Sequence, residues 1–197
     1  MKKMFLNIIL CLFISISANA EKVVGSYTLS YFDRTYDIEA SEIKNGKFSI
    51  YIQVSAEREA TKAMICVESS DLDKFKQSLI QTRDKYEEWS KVAKDNNVKD
   101  MSKEMDIKYP SMTVCWLGSK WFFSNQKLQP RFLIVDSGKH LVTFIKKVKA
   151  SSNQYIDETI YWVFSSSKEI DELLSQLDFT TIKSKLEERE SESGLFK

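Results

Sequence analysis

The chain has 197 residues, 43% of them hydrophobic and 29% charged, and its 12 Phe, 8 Tyr and 4 Trp supply ample aromatic bulk for a core. Such a composition excludes a disordered or fibrous chain. With 29 basic against 28 acidic residues, it lacks the basic excess that nucleic-acid binding or attachment to anionic lipid requires.

Lys2 and Lys3 precede an apolar run from Met4 to Ile14, and Ala18-Asn19-Ala20 follows. This is the pattern of a secretory signal peptide, whose apolar core is too short to cross a bilayer as a mature helix and whose small residues suit a signal peptidase. Residues 1–20 are expected to be removed after Ala20. The exported chain, periplasmic or secreted, then starts at Glu21 with a net charge of −1 and no transmembrane helix. Cys11 follows Leu10 rather than the Gly or Ala of a lipid-attachment site, which argues against lipoprotein processing. The two remaining cysteines, Cys66 and Cys115, are expected to pair in an oxidising compartment. Such a bridge would close a loop of about fifty residues and contribute roughly 4 kcal/mol. The alternative is two buried thiols acting as small hydrophobes.

From Val24 to Val67 the hydrophobic period is two. Tyr27, Leu29 and Tyr31 alternate with Thr28 and Ser30, and Phe48, Ile50, Ile52 and Val54 alternate with Ser49, Tyr51 and Gln53, which predicts half-buried strands. Asn45-Gly46 predicts a type I′ turn between them. Because Tyr36 and Ile38 fall on even positions and Ile43 on an odd one, a bulge near Ala40-Ser41 is expected. A further strand spans Ala63 to Val67.

At Ser70 the pattern becomes helical. Asp73 is the capping partner, and Leu72, Phe75, Leu79, Tyr86, Trp89 and Ala93 draw one apolar face. Asp95 to Lys108 is polar and reads as a loop with one helical turn, ended by Pro110. An aromatic meander follows: Met112 to Leu117, Trp121 to Ser124, and Phe132 to Val135. Asp136-Ser137-Gly138 closes a hairpin that sets Val135 opposite Lys139 and Ile134 opposite His140. Strands Leu141 to Val148 and Tyr155 to Phe164 complete the block. Ser166 and Glu169 predict a second capping box before a short helix through Leu177. Phe179, Ile182 and Leu186 extend it, whereas the charged stretch from Glu187 to Lys197 is expected to be disordered. The fold expected is one α+β domain over residues 21–186: an antiparallel sheet of seven to nine strands, curved or folded on itself, with one long helix on a face and short C-terminal helices.

Candidate sites are few. His140 is the only histidine, so a triad has one possible centre and a multi-histidine metal site none. Its register places it on an apolar face, as a core-edge residue. Among the carboxylates, such as Asp71, Asp73, Glu87, Glu88 and Asp157, Glu158 stands apart because it shares strand phase with Ile160 and Trp162. Lys146, Lys147 and Lys149 read as a solvated hairpin end. The aromatics Tyr109, Trp116, Trp121 and Phe123 offer either a core or a contact surface for a sugar or peptide. No metal, phosphate or cofactor motif is present. The function expected is therefore that of a non-catalytic binding module for a protein, glycan or small-molecule ligand. A lipocalin-like carrier of a small apolar ligand is the first alternative and an exported hydrolase the second.

Protein recovered from the cell envelope or medium should have the intact mass of a chain beginning at Glu21. A mass that retains residues 1–20, or a lipid-modified cysteine, would refute the export reading.

Overall fold

The structure, a computed structural model, describes residues 22–58, 61–136 and 138–194; the expected signal peptide lies outside them. The first period-two segments fold back as a hairpin of β1 (Lys22–Leu29) and β2 (Arg34–Ala40). The chain continues with β3 (Ser49–Ala56), β4 (Ala63–Glu68), helix α1 (Leu72–Asp95), β5 (Met101–Glu104), β6 (Ser111–Leu117), β7 (Trp121–Lys127), β8 (Arg131–Val135), β9 (Lys139–Ala150) and β10 (Asn153–Phe164). Two helices close it, α2 (Ser167–Gln176) and α3 (Phe179–Gly194). The class is α+β, and all ten strands join one antiparallel sheet.

The sheet runs β5-β8-β9-β10-β3-β4-β6-β7, with β1–β2 attached separately to β3. Strand β3 thus has β4 on one edge and two partners on the other. It pairs with β2 through Ile50, Tyr51 and Ile52, and with β10 through Ser55 and Ala56. Between those two short ladders the main chain forks, and side chains fill the gap. Gln53 Oε1 accepts from the Asp37 amide at 3.4 Å, and the Tyr27 hydroxyl donates to the Gln53 carbonyl at 2.6 Å while accepting from Trp162 Nε1 at 3.0 Å. Farther along, the Tyr36 and Ser55 hydroxyls bond to each other. At the opposite side the sheet returns on itself, since the Ser151 amide in the β9–β10 turn donates to the Phe123 carbonyl of β7 at 2.8 Å.

The interior is aromatic. Trp162 on β10 lies parallel to Phe75 of α1, centroids 6.3 Å apart, and packs against Phe144 and Phe164 at 5.0 Å each. Such ring pairs add about 0.5–1.5 kcal/mol each beyond their area. Helix α1 also carries a buried polar stripe. Ser78 Oγ donates to the Lys108 carbonyl at 2.9 Å, and Thr82 Oγ1 meets the Tyr109 hydroxyl at 2.7 Å, which fastens the segment before β6 to the helix.

Several expectations are corrected. Met101–Glu104 forms an edge strand on β8 where a loop was expected. All four of its residues are exposed, so no apolar period marks it. The bulge falls at Val23/Gly25 rather than Ala40-Ser41. Gly25 is also where α2 passes closest, because a Cβ there would lie 2.7 Å from Gln176 Oε1. Ile43 is only half-buried and sits outside the ladders, so its odd phase needs no compensation. At the start of α1, Asp71 occupies the cap without a side-chain capping bond to the helix backbone, in place of the expected Ser70–Asp73 pair. The charged stretch expected to be disordered from Glu187 continues α3 as far as Gly194. Both hairpin turns follow the sequence: Asn45 and Gly46 have φ of 53° and 73°, and Ile134 faces His140.

Tyr27→Phe should orphan the Trp162 indole N–H and the Gln53 carbonyl together, at about 1–3 kcal/mol for each group. Urea denaturation that places the variant within about 0.5 kcal/mol of wild type would show that the fork does not depend on this hydroxyl.

Candidate functional site

A cleft with an aromatic wall opens at the fork. Chain reversal between β1 and β2 is tight, with the Phe32 amide bonded to the Leu29 carbonyl at 3.1 Å and Asp33 in the left-handed region at φ 49°. That turn lifts Tyr31 and Phe32 out of the strand ladder. Tyr31, expected on the core face by alternation, is instead 47% exposed. Its ring meets Phe32 edge-on at 5.0 Å, and Phe32 meets Tyr36 edge-on at 6.4 Å. These three rings, with Tyr161 of β10, line a cleft of about 450 Å³. Gln53, Ser55, Glu57 and Thr61 line it from β3 and the β3–β4 connection.

Two cations lie on the rings. Arg34 has its guanidinium 5.4 Å over Tyr36, and Lys139, from the start of β9, has its ammonium 5.1 Å over Tyr31. Tyr36 is buried and its hydroxyl is held by Ser55, so the ring beneath Arg34 is fixed. The site is therefore concave, mostly aromatic on one side and polar on the other, a form typical of small-ligand seats. Sequence reasoning missed it because Tyr31 fits the period-two pattern. The available signal was Asp33, a turn residue between Phe32 and Arg34.

The aromatic contact surface read from the sequence is divided by the fold. Tyr109 and Trp116 are corrected to core positions, both buried. Tyr109 is bonded to Thr82 and edge-on to Phe75 and Phe144, and burial raises its phenol pKa. Trp121 and Phe123 lie on the sheet's other face. They are half-buried there beside a small cluster of Tyr51, Met64, Cys66 and Cys115. The expected disulfide is not formed, and both cysteines are held as buried thiols. Cys66 stands opposite Thr113 and Cys115 opposite Met64, which makes the two cysteines diagonal neighbours. Diagonal positions in a ladder are about 7–8 Å apart, beyond the roughly 4.4–6.8 Å Cα span of a disulfide.

The remaining candidates are structural. Glu158 points inward as expected. Its side chain is 1% exposed, and the exposed Arg58 covers it with Nε 3.6 Å from Oε2. Lys147 pairs with Asp157 at 3.2 Å across the β9–β10 hairpin. His140 is buried with its ring against Phe132 at 5.6 Å, and burial together with the nearby Lys94 lowers its pKa. The Glu169 carboxylate is committed elsewhere: it accepts from the Ser30 amide at 3.2 Å, the Ser30 hydroxyl, and the Ser165 amide at 2.7 Å. Among the described residues no group of three or more His, Cys, Asp or Glu is placed to hold a metal ion. None of the described helices is long and apolar enough to cross a membrane. No family model, curated protein or solved structure matches the chain.

Because folding lowers the pKa of His140, the unfolded chain takes up the proton first as pH falls, and the contribution of neutral His140 to stability is lost below about pH 6.5. Wild type should lose more stability than His140→Gln between pH 7.5 and 5.5 in matched urea titrations. Parallel losses in the two proteins would refute this linkage.

Proposed function

We propose that the protein is an exported, non-catalytic binding module whose ligand seat is the cleft at the fork of β3. The observation that carries this reading is the cleft itself: about 450 Å³ of concave space at a place where Tyr27, Gln53, Tyr36 and Ser55 already satisfy one another. A ligand would enter a preformed site, with little ordering cost. Near-neutral charge favours a peptide, glycan or small molecule over nucleic acid. A carrier of apolar ligands would need a dry cavity between the strands, where the rings of Phe75, Phe144 and Trp162 now pack. A hydrolase centred on His140 would need a carboxylate partner, and the charge that acts on His140 is the cation Lys94.

A fragment library screened by amide NMR should perturb residues 31–36, 53–57 and 161 in wild type. Tyr31→Ala should abolish those shifts while changing stability by less than about 1 kcal/mol, because Tyr31 lies outside the core. Perturbations confined to the Trp121 and Phe123 face would move the seat there and overturn the proposal.

A further inference from the structure

We infer that the fork cleft takes a ligand bearing a carboxylate, and that Arg34 is the residue that reads it; this rests on the cleft being the ligand seat. Four arginines have described side chains, and three of them lie against carboxylates: Arg58 on Glu158, Arg83 on Asp84 and Asp171, and Arg131 on Glu104. Arg34 differs. Its guanidinium lies over the Tyr36 ring at the wall of the cleft. A guanidinium in that position uses its flat face on the ring and keeps its in-plane N–H donors, the fork geometry that matches a carboxylate with two parallel hydrogen bonds.

The surroundings give the ligand a direction. Lys139 over Tyr31 adds a second cation at the far end of the row Tyr31, Phe32, Tyr36, so an anion is favoured along this wall. Among the described residues Glu57 is the acidic one lining the same cleft, and it repels a carboxylate while accepting from an amide or hydroxyl donor. Along the same wall the exposed ring of Tyr31 and the half-buried ring of Phe32 offer an apolar shelf. The matching ligand has a carboxylate, a hydrogen-bond donor for Glu57 and an apolar or aromatic body. It is roughly the size of an acylated amino acid or a dipeptide, which a cleft in the usual ligand-site range holds.

N-acetyl-phenylalanine and N-acetyl-phenylalaninamide differ only in the carboxylate and serve as probes, titrated into the full mature chain and followed by amide NMR. The acid should bind at the fork at least tenfold more tightly than the amide. Arg34→Gln should bring the two to parity, and Arg34→Lys should restore only part of the preference, because an ammonium cannot form the paired contact. Arg34 is solvent-exposed, and matched near-ultraviolet circular dichroism would confirm that both variants fold. Equal binding of acid and amide at the cleft, or cleft shifts from other fragments but from neither probe, would overturn the carboxylate inference and leave the seat standing. Absence of any perturbation at the fork, from these probes or from the library, would overturn both.

Discussion

The architecture depends on how one strand edge is shared. An antiparallel strand offers a single row of donors and acceptors on each side, and on one side of β3 that row is divided between β2 and β10. Both ladders are short, and each would leave main-chain groups without partners where it stops. Buried groups in that condition cost about 1–3 kcal/mol apiece. The hydroxyl of Tyr27 and the amide of Gln53 take over at that point, so that side chains complete what the main chain cannot. The indole of Trp162 ties this junction to the core from β10.

The same junction positions the candidate site. Because β2 pairs with β3 only from Ile38 onward, the β1–β2 turn that precedes it stands away from the sheet and leaves concave space between itself and Tyr161. A hairpin paired along its full length would have filled that space. Tyr36 shows the economy of the arrangement: its hydroxyl closes the fork against Ser55, and its ring supports Arg34. Fold and candidate site therefore share Tyr36, whose ring is buried like those of the interior.

Much of the fold was legible where the signal is local. Asn45-Gly46 and Gly138 demand positive φ, and both reversals occur there. Ser166 and Glu169 mark the start of α2, although the Glu169 carboxylate reaches back to Ser165 rather than to the cap residue itself. What was not legible is non-local. A period of two says which face a residue occupies and nothing about its neighbouring strand, so neither the fork nor the diagonal placement of Cys66 and Cys115 was visible. Strand β5 carries no apolar signal, because it lies at the sheet's edge with every residue in water. Tyr31 continued an alternation that the chain had already left, which is why the cleft escaped notice and the aromatic run at Trp121 drew attention in its place.

The tie formed by Glu169 has a consequence for the order in which the molecule assembles. Its carboxylate joins Ser30, 139 residues away, to the start of α2. Lys185 of α3 donates to the Val24 carbonyl across 161 residues, and Trp162 reaches Tyr27 across 135. A chain that emerges from its N-terminus can pair β1 with β2 early, but it cannot complete these three ties until almost all of the remainder has appeared. The first strand made is thus among the last to be secured, and the slow search that long-range pairing imposes falls on the segment next to the expected processing site. Until β10 and α2 arrive, the β1–β2 hairpin lacks the three ties that join it to the C-terminal half of the chain.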